Sequence, residues 1–179
     1  MKKILTLLLI LILILALFWK PVLKSFYKTE YSDYVEKYAK EYNVDKLMIY
    51  AIIKAESNFN EGAVSHKGAT GLMQLMDDTA KEIADNATID YVSGETLYDA
   101  DKNIMLGTRY YAFLKKEFNN VDSLALAAYN AGIGNVKTWI ENGTLNADGS
   151  NIENIPYKET NMYVRNILKD YKIYKMLYA

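Results

Sequence analysis

Beyond about residue 30, apolar and polar positions follow a helical spacing along almost the whole chain. Apolar residues recur three and four positions apart, Ser32 and Asp45 are placed as N-caps, and Gly132 as a C-cap. No segment shows a convincing strand pattern, and residues 68–75 form at most a small hairpin. The pattern predicts a mostly α fold, with helices over residues 32–42, 46–57, 78–85, 99–118, 122–132, 135–143 and 157–178.

The chain begins with a different pattern. Residues 4–19 read ILTLLLILILILALFW, apolar apart from Thr6, and follow MKK, which is typical of an export signal. No small-residue cleavage site follows Ala16, so a retained membrane helix is favoured over a cleaved signal peptide. The domain would then lie on the extracytoplasmic side, or be secreted if cleavage occurs. The predicted organisation is a signal-anchor over residues 1–23, a tether over 24–31 and one domain over 32–179.

Composition narrows the possible chemistry. Five of the 21 basic residues precede residue 30 and none of the 22 acidic residues does, so the remaining chain is acidic. An acidic domain without a basic stripe argues against nucleic acid as the partner. The absence of cysteine excludes disulfides and thiolate sites. The single histidine, His66, lies in a polar Gly-rich segment and is interpreted as solvated rather than as a metal ligand or base. No metal or cofactor is expected. The oligomeric state stays open.

Glu56 stands at a position where the pattern calls for an apolar residue. Ile49, Ile52, Ile53 and Glu56 fall on one face of the same predicted helix. Either the helix ends there and the carboxylate is solvated, or the carboxyl is held at the edge of the core. In the second case desolvation would raise its pKa and suit it to general acid catalysis near neutral pH.

Four short segments extend this hypothesis: ES at residues 56–57, GLMQ at 71–74, AYNAG at 128–132, and Tyr163 within KETNMYV. Their order and spacing resemble the soluble-lytic-transglycosylase family, whose fold is related to goose-type lysozyme. The resemblance covers roughly residues 35–175. It implies a lysozyme-like helical domain. The segment LMDDTA departs from the family pattern, because it lacks the proline that often follows LM in this family.

The resemblance also implies a role for each matching residue. Glu56 matches the catalytic acid. The expected substrate-binding or supporting positions are Ser57, Gly71, Leu72, Met73, Gln74, Tyr129, Asn130 and Tyr163. Among these, Met73 is expected to form an apolar wall of the cleft and Gln74 a polar contact. Alternatives remain: Gln74 and Asn130 could bond local backbone, and the two tyrosines could simply pack in the core.

The activity that the resemblance implies is cleavage of peptidoglycan between N-acetylmuramic acid and N-acetylglucosamine, with 1,6-anhydromuramic acid ends. One glutamate would act first as acid and then as base. Asp77 and Asp78 are better explained as helix caps than as a second catalytic carboxylate. The alternatives are a goose-type muramidase, which needs a positioned water and normally a second carboxylate, and an inactive wall-binding module. A pore or signalling role has no support from a span whose only polar residue is Thr6.

Overall fold

The computed structural model of the protein describes residues 3–4 and 18–179. The predicted signal-anchor therefore falls mainly on residues 1–2 and 5–17, which lie outside the described residues. Within the part that is described, none of the helices combines the length and the apolar character that a membrane span requires.

The domain is built from helices, which confirms the predicted mostly α class. Residues 68–75 contribute only isolated antiparallel bridges, Thr70 with Val64 and Thr70 with Leu75, and no strand forms within residues 18–179. Short 3₁₀ turns occur at Thr96–Tyr98 and Ile152–Asn154. Residues 32–179 hold seven α-helices: α1 Ser32–Glu41, α2 Lys46–Ser57, α3 Asp77–Asp85, α4 Ala100–Glu117, α5 Asp122–Ala131, α6 Ile133–Glu141 and α7 Lys158–Tyr178.

The predicted caps differ in outcome. The Asp45 side chain accepts a hydrogen bond of 2.8 Å from the backbone N–H of Leu47, so it caps α2 as predicted. Gly132, with φ of 89°, ends α5 and leads directly into α6. The prediction for Ser32 is wrong. Tyr31 holds the N-cap position in a left-handed conformation, and Ser32 is already the first residue of α1.

Helix α2 is the centre of the core. All seven of its residues from Leu47 to Ile53 are buried, and the helix packs against α1 and, along much of its length, against α7. A helix buried on nearly every side is held by its neighbours rather than by its own propensity. Its last turn, which carries Glu56, emerges at the edge of this core.

The segment predicted as a tether is packed on the domain. Residues 18–26 are helical, and the Tyr27 side chain that follows is only 9% exposed. The Tyr27 hydroxyl donates to Asp170 at 2.9 Å, while the Tyr178 hydroxyl donates to the Tyr27 carbonyl at 2.7 Å. The stretch over residues 24–31 is therefore held against α7 at Tyr27. Tyrosine provides apolar area and a hydrogen bond together, which fixes this stretch on α7.

Candidate active site

Glu56 lies in the last turn of α2, after three isoleucines of the same face that are fully buried. Its side chain is partly exposed, and its Oε1 accepts a hydrogen bond of 2.6 Å from the Tyr163 hydroxyl. Burial raises the pKa of Glu56 to about 7, although the bond from Tyr163 opposes this and the charge of Glu159 adds to it. At neutral pH the carboxyl can therefore both give and take a proton.

A cavity of about 390 Å³ opens in front of this carboxyl. Of the residues singled out from the sequence, Glu56, Gln74, Tyr129 and Asn130 line it. The rest of its wall was not expected and includes Ser65, His66, Lys67, Tyr157, Glu159 and Thr160. A larger cavity of about 610 Å³ lies elsewhere, between α3, α4 and the turn after α1, and none of the predicted site residues lines it.

The turn over residues 70–74 is fixed by one buried asparagine that the sequence analysis missed. Asn103 on α4 accepts a hydrogen bond from the N–H of Met73 at 2.8 Å and donates to the carbonyl oxygen of Thr70 at 3.0 Å. Gly71, with φ of 81°, lies so close to Asn103 that a β-carbon would collide with it. One signal was present: Asn103 precedes Gly107 by one helical turn on the apolar face of α4.

Two of the residues expected to line the cleft point into the core instead. Leu72 and Met73 are fully buried, and a β-carbon at Gly107 would fall within 3.0 Å of the Met73 side chain. Neither side chain is therefore exposed on the wall of the cavity, and the expectation that both belong to the substrate-binding residues stays a prediction. The apolar side chains of the turn pack in the core, and Gln74 is the residue of the turn that lines the cavity.

Both amide side chains line the cavity, and of the two Gln74 makes the local backbone bonds that the alternative interpretation described. Gln74 donates through Nε2 to the carbonyl oxygens of Ala63 and Gly71, so its Oε1 is the amide atom left for a ligand. Asn130 accepts through Oδ1 from the buried Thr160 hydroxyl at 2.7 Å. This bond orients the amide of Asn130 and directs its Nδ2 donors away from Thr160.

Ser57 and Tyr129 connect the parts of the site to one another. The Ser57 hydroxyl donates to the Leu72 carbonyl oxygen at 2.8 Å and lies outside the lining of the cavity. Its expected place beside the sugar stays a prediction. Tyr129 donates to the Met73 carbonyl oxygen at 2.8 Å. Burial, and then the nearby Glu56, hold the pKa of both Tyr129 and Tyr163 well above 10, so both remain donors.

The remaining acidic and basic groups have distinct positions. Asp77 begins α3 but does not cap it: its carboxylate accepts from Tyr91 and Ser93, each at 2.6 Å, which corrects the capping explanation. His66 is exposed at the cavity rim. Glu159 is a second carboxylate on the cavity wall and lies 4.0 Å from Lys67. Within residues 3–4 and 18–179, no group of three His, Cys, Asp or Glu could hold a metal ion.

Known proteins resemble this chain in sequence. Residues 33–151 match the family model described as "Transglycosylase SLT domain". The chain is 35% identical over 148 residues to the soluble lytic murein transglycosylase of Escherichia coli, covering 82% of this chain and 23% of that protein. It is 38% identical over 116 residues to the membrane-bound lytic murein transglycosylase C of Edwardsiella ictaluri, covering 60% of this chain and 32% of the relative.

Solved structures agree with the sequence comparison. The 70 kDa soluble lytic transglycosylase of Escherichia coli matches with a TM-score of 0.79 and 33% identity, over 86% of this chain and 25% of that one. An inactive Glu-to-Gln mutant of the lytic transglycosylase Slt from Pseudomonas aeruginosa matches with a TM-score of 0.76 and 37% identity, over 84% and 24%. The chain thus spans about a quarter of the length of these relatives. It belongs to the transglycosylase SLT domain family.

Proposed function

We propose that the protein is a peptidoglycan lytic transglycosylase, a carbon–oxygen lyase, in which Glu56 is the acid and the base. The observation that carries the proposal is the partly buried Glu56 carboxyl, whose pKa is raised to about 7 while Tyr163 holds one of its oxygens. The activity of the relatives supports it, as does the inactivity of the Pseudomonas aeruginosa mutant in which one glutamate is replaced by glutamine.

The reaction begins with protonated Glu56. The carboxyl gives its proton to the oxygen that bridges N-acetylmuramic acid and N-acetylglucosamine, and the bond from C1 to that oxygen breaks. The 2-acetamido group of the muramoyl residue stabilises the positive charge at C1. The C6 hydroxyl of the same sugar then attacks C1, and its proton passes to the Glu56 carboxylate. No water is consumed, the 1,6-anhydro ring closes, and the acid is regenerated.

The amides and tyrosines of the cavity hold the substrate and the acid. Asn130 offers Nδ2 donors and Gln74 an Oε1 acceptor, which suit the carbonyl and N–H of N-acetyl groups. Tyr163 orients the acid, and Tyr129 fixes the turn opposite it through the Met73 carbonyl oxygen. Gly71 takes part by letting this turn pack closely on Asn103.

The proposed location is the outer face of a cell membrane. Residues 1–23 serve as a single-pass signal-anchor, because the apolar stretch over residues 4–19 lacks a cleavage site. The catalytic domain over residues 32–179 follows it on the extracytoplasmic side, where peptidoglycan is found. Relatives of both kinds, soluble and membrane-bound, are consistent with an enzyme that works in the cell envelope.

A goose-type muramidase is the second candidate, and one observation favours it. Hydrolysis normally uses a second carboxylate to position water, and Glu159 lies on the wall of the same cavity as Glu56. Its side chain is 75% exposed and near Lys67, so it is freely solvated, unlike Glu56. We prefer the transglycosylase, because the matching segments are those of that family.

Mass spectrometry of digested peptidoglycan separates these functions. We expect the protein to release muropeptides that end in 1,6-anhydromuramic acid, and Glu56→Gln to release none. Reducing ends that are heavier by one water, lost in Glu159→Gln, would establish the muramidase instead. If neither Glu56→Gln nor the unaltered protein releases muropeptides but both bind the wall, the domain is a binding module.

A further inference from the structure

The helix over residues 18–26 lies beside the carboxyl end of α7. Lys24 Nζ lies 4.6 Å from the ring centre of Tyr178, while the Tyr27 hydroxyl reaches Asp170 at 2.9 Å. The end of this helix and the residue that follows it therefore lie against the carboxyl-terminal part of α7.

An apolar stripe follows the outer side of this helix. Phe18, Val22 and Phe26 are spaced four residues apart and therefore share one face, and they are 58%, 54% and 65% exposed. Leu23 and Tyr27, on the neighbouring face, pack against the core. Phe18 and Val22 fall within the proposed span of residues 1–23, and Phe26 continues the same line beyond it, so the apolar surface extends from the span onto the domain.

The charges around the stripe favour an anionic surface. Lys20, Lys24, Lys172 and Lys175 are exposed on the helix and on the last turns of α7. No acidic residue precedes Glu30, which pairs with Lys28 at 2.9 Å, and Asp170 is engaged by Tyr27 and Lys54. The rest of the chain is acidic, so the positive charge is concentrated at this end. Such clusters beside a membrane span are attracted to anionic headgroups.

The distance between the proposed span and the domain is short. A helical span needs about 20 residues, and that length counted from Ile4 ends near Leu23. Leu23 already packs on the core. If residues 1–23 anchor the chain as proposed above, no free linker then remains between the bilayer and the domain.

We propose that helix 18–26 and the carboxyl end of α7 form one membrane-facing surface, which holds the domain directly on a lipid bilayer with the Glu56 cavity at its far side. Tyr163, whose hydroxyl is hydrogen-bonded to Glu56, precedes Tyr178 by about four helical turns. The cavity is therefore about 22 Å along α7 from the carboxyl end of that helix. The inference rests on the proposed anchoring and deepens it. A cavity held at this fixed distance from the bilayer can reach the glycan strands that run close to the membrane.

Two positions on α7 allow this orientation to be measured, because they differ in their expected distance from the bilayer. The chain has no cysteine, so one introduced cysteine can be labelled alone. Met162 and Met176 are similarly exposed, at 54% and 49%, and lie about 21 Å apart on the same helix. The full chain carrying Met162→Cys or Met176→Cys is labelled with a fluorophore and inserted into vesicles of phosphatidylethanolamine and phosphatidylglycerol, with a nitroxide quencher on the lipid headgroups.

We expect the label at residue 176 to be quenched at least about threefold more than the label at residue 162, because quenching needs proximity to the headgroups. Equal quenching would overturn the proposed orientation. Failure of the chain to float with the vesicles would overturn the anchoring itself. Oxidative cross-linking of Phe26→Cys between two chains, with no quenching at residue 176, would show that a second copy covers the stripe. Melting curves establish that each variant is folded, and no outcome depends on catalysis.

Discussion

Tyr163 donates a hydrogen bond of 2.6 Å to Glu56 and thereby joins α7 to the last turn of α2. Two opposing effects meet at this carboxyl. Burial disfavours the carboxylate and raises its pKa, whereas the Tyr163 bond favours the carboxylate and lowers it. The balance leaves the pKa at about 7, which is what a group that must give and then recover a proton requires.

Replacing Tyr163 by phenylalanine should shift this balance. Loss of the bond leaves the carboxylate less stabilised, so the pKa of Glu56 rises and the alkaline limb of the pH profile of kcat moves to higher pH. Turnover should also fall roughly tenfold, as expected for one hydrogen bond to a charged group. Tyr157→Phe is the matched control, because it removes the same hydroxyl group at an exposed position on the cavity wall. An unshifted limb in Tyr163→Phe would contradict the prediction.

Glu56 should also make stability depend on pH. Its pKa is raised from 4.5 to about 7 on folding, so the folded protein holds this proton more tightly than the unfolded chain. The resulting stabilisation is complete below about pH 4.5 and is lost as the pH rises through about 7. Glutamine does not ionise, so we expect Glu56→Gln to gain stability relative to the unaltered protein over this range. The gain should be on the order of 2 kcal/mol at pH 8, allowing for partial access of water.

Urea unfolding at pH 4.5 and pH 8 measures this gain. Glu153→Gln, at an exposed glutamate outside the cavity, is the matched control and should show no comparable gain. A difference between Glu56→Gln and the unaltered protein that is the same at both pH values would mean that burial does not hold the proton on Glu56. A gain at pH 8 together with loss of activity would show that the acid is kept at a cost in stability.

Local sequence signals predicted the parts of this site that depend on one helix. The isoleucines before Glu56 placed the carboxyl at the edge of a buried face, and Asp45 and Gly132 marked helix ends correctly. Exposure was harder to predict within the turn after α2. Leu72 and Met73 fit a cleft wall as well as a core, and only their packing on α4 decides between the two.

Contacts between distant segments could not be predicted from spacing. Asn103 holds the Met73 turn from 30 residues away, and Tyr27 reaches Asp170 across 143 residues. Each partner alone fits an ordinary helical surface, and the pairing exists only because α2, α4 and α7 are packed together. Asp77 shows the same limit: a carboxylate at a helix start is typical of a cap, yet here it fastens a later loop.

The close packing of Gly71 is tested by two alanine substitutions. Gly68 and Gly71 both have positive φ, 88° and 81°, but a β-carbon at Gly68 meets no atom within 4 Å, whereas one at Gly71 collides with Asn103. Gly68→Ala should cost about 1 kcal/mol of unfolding free energy, from backbone strain alone. Gly71→Ala should cost about 3 kcal/mol or more, because the turn must move off α4. Similar losses of unfolding free energy for the two variants, measured by urea unfolding, would show that the turn accommodates a β-carbon at residue 71 easily.

The packed N-terminal segment should contribute to the stability of the whole domain. Tyr27 is 9% exposed and meets Tyr174 edge to face at 5.3 Å, so Tyr27→Ala leaves a cavity between this segment and α7. We expect a loss of about 3 kcal/mol, typical of a large aromatic truncated in a core. Tyr34→Ala, at a residue 38% exposed on α1, should change the unfolding free energy by about 0.5 kcal/mol or less. Equal melting temperatures for the two variants would mean that residues 24–31 are a loose tether after all, and that the domain is free to swing away from its anchor.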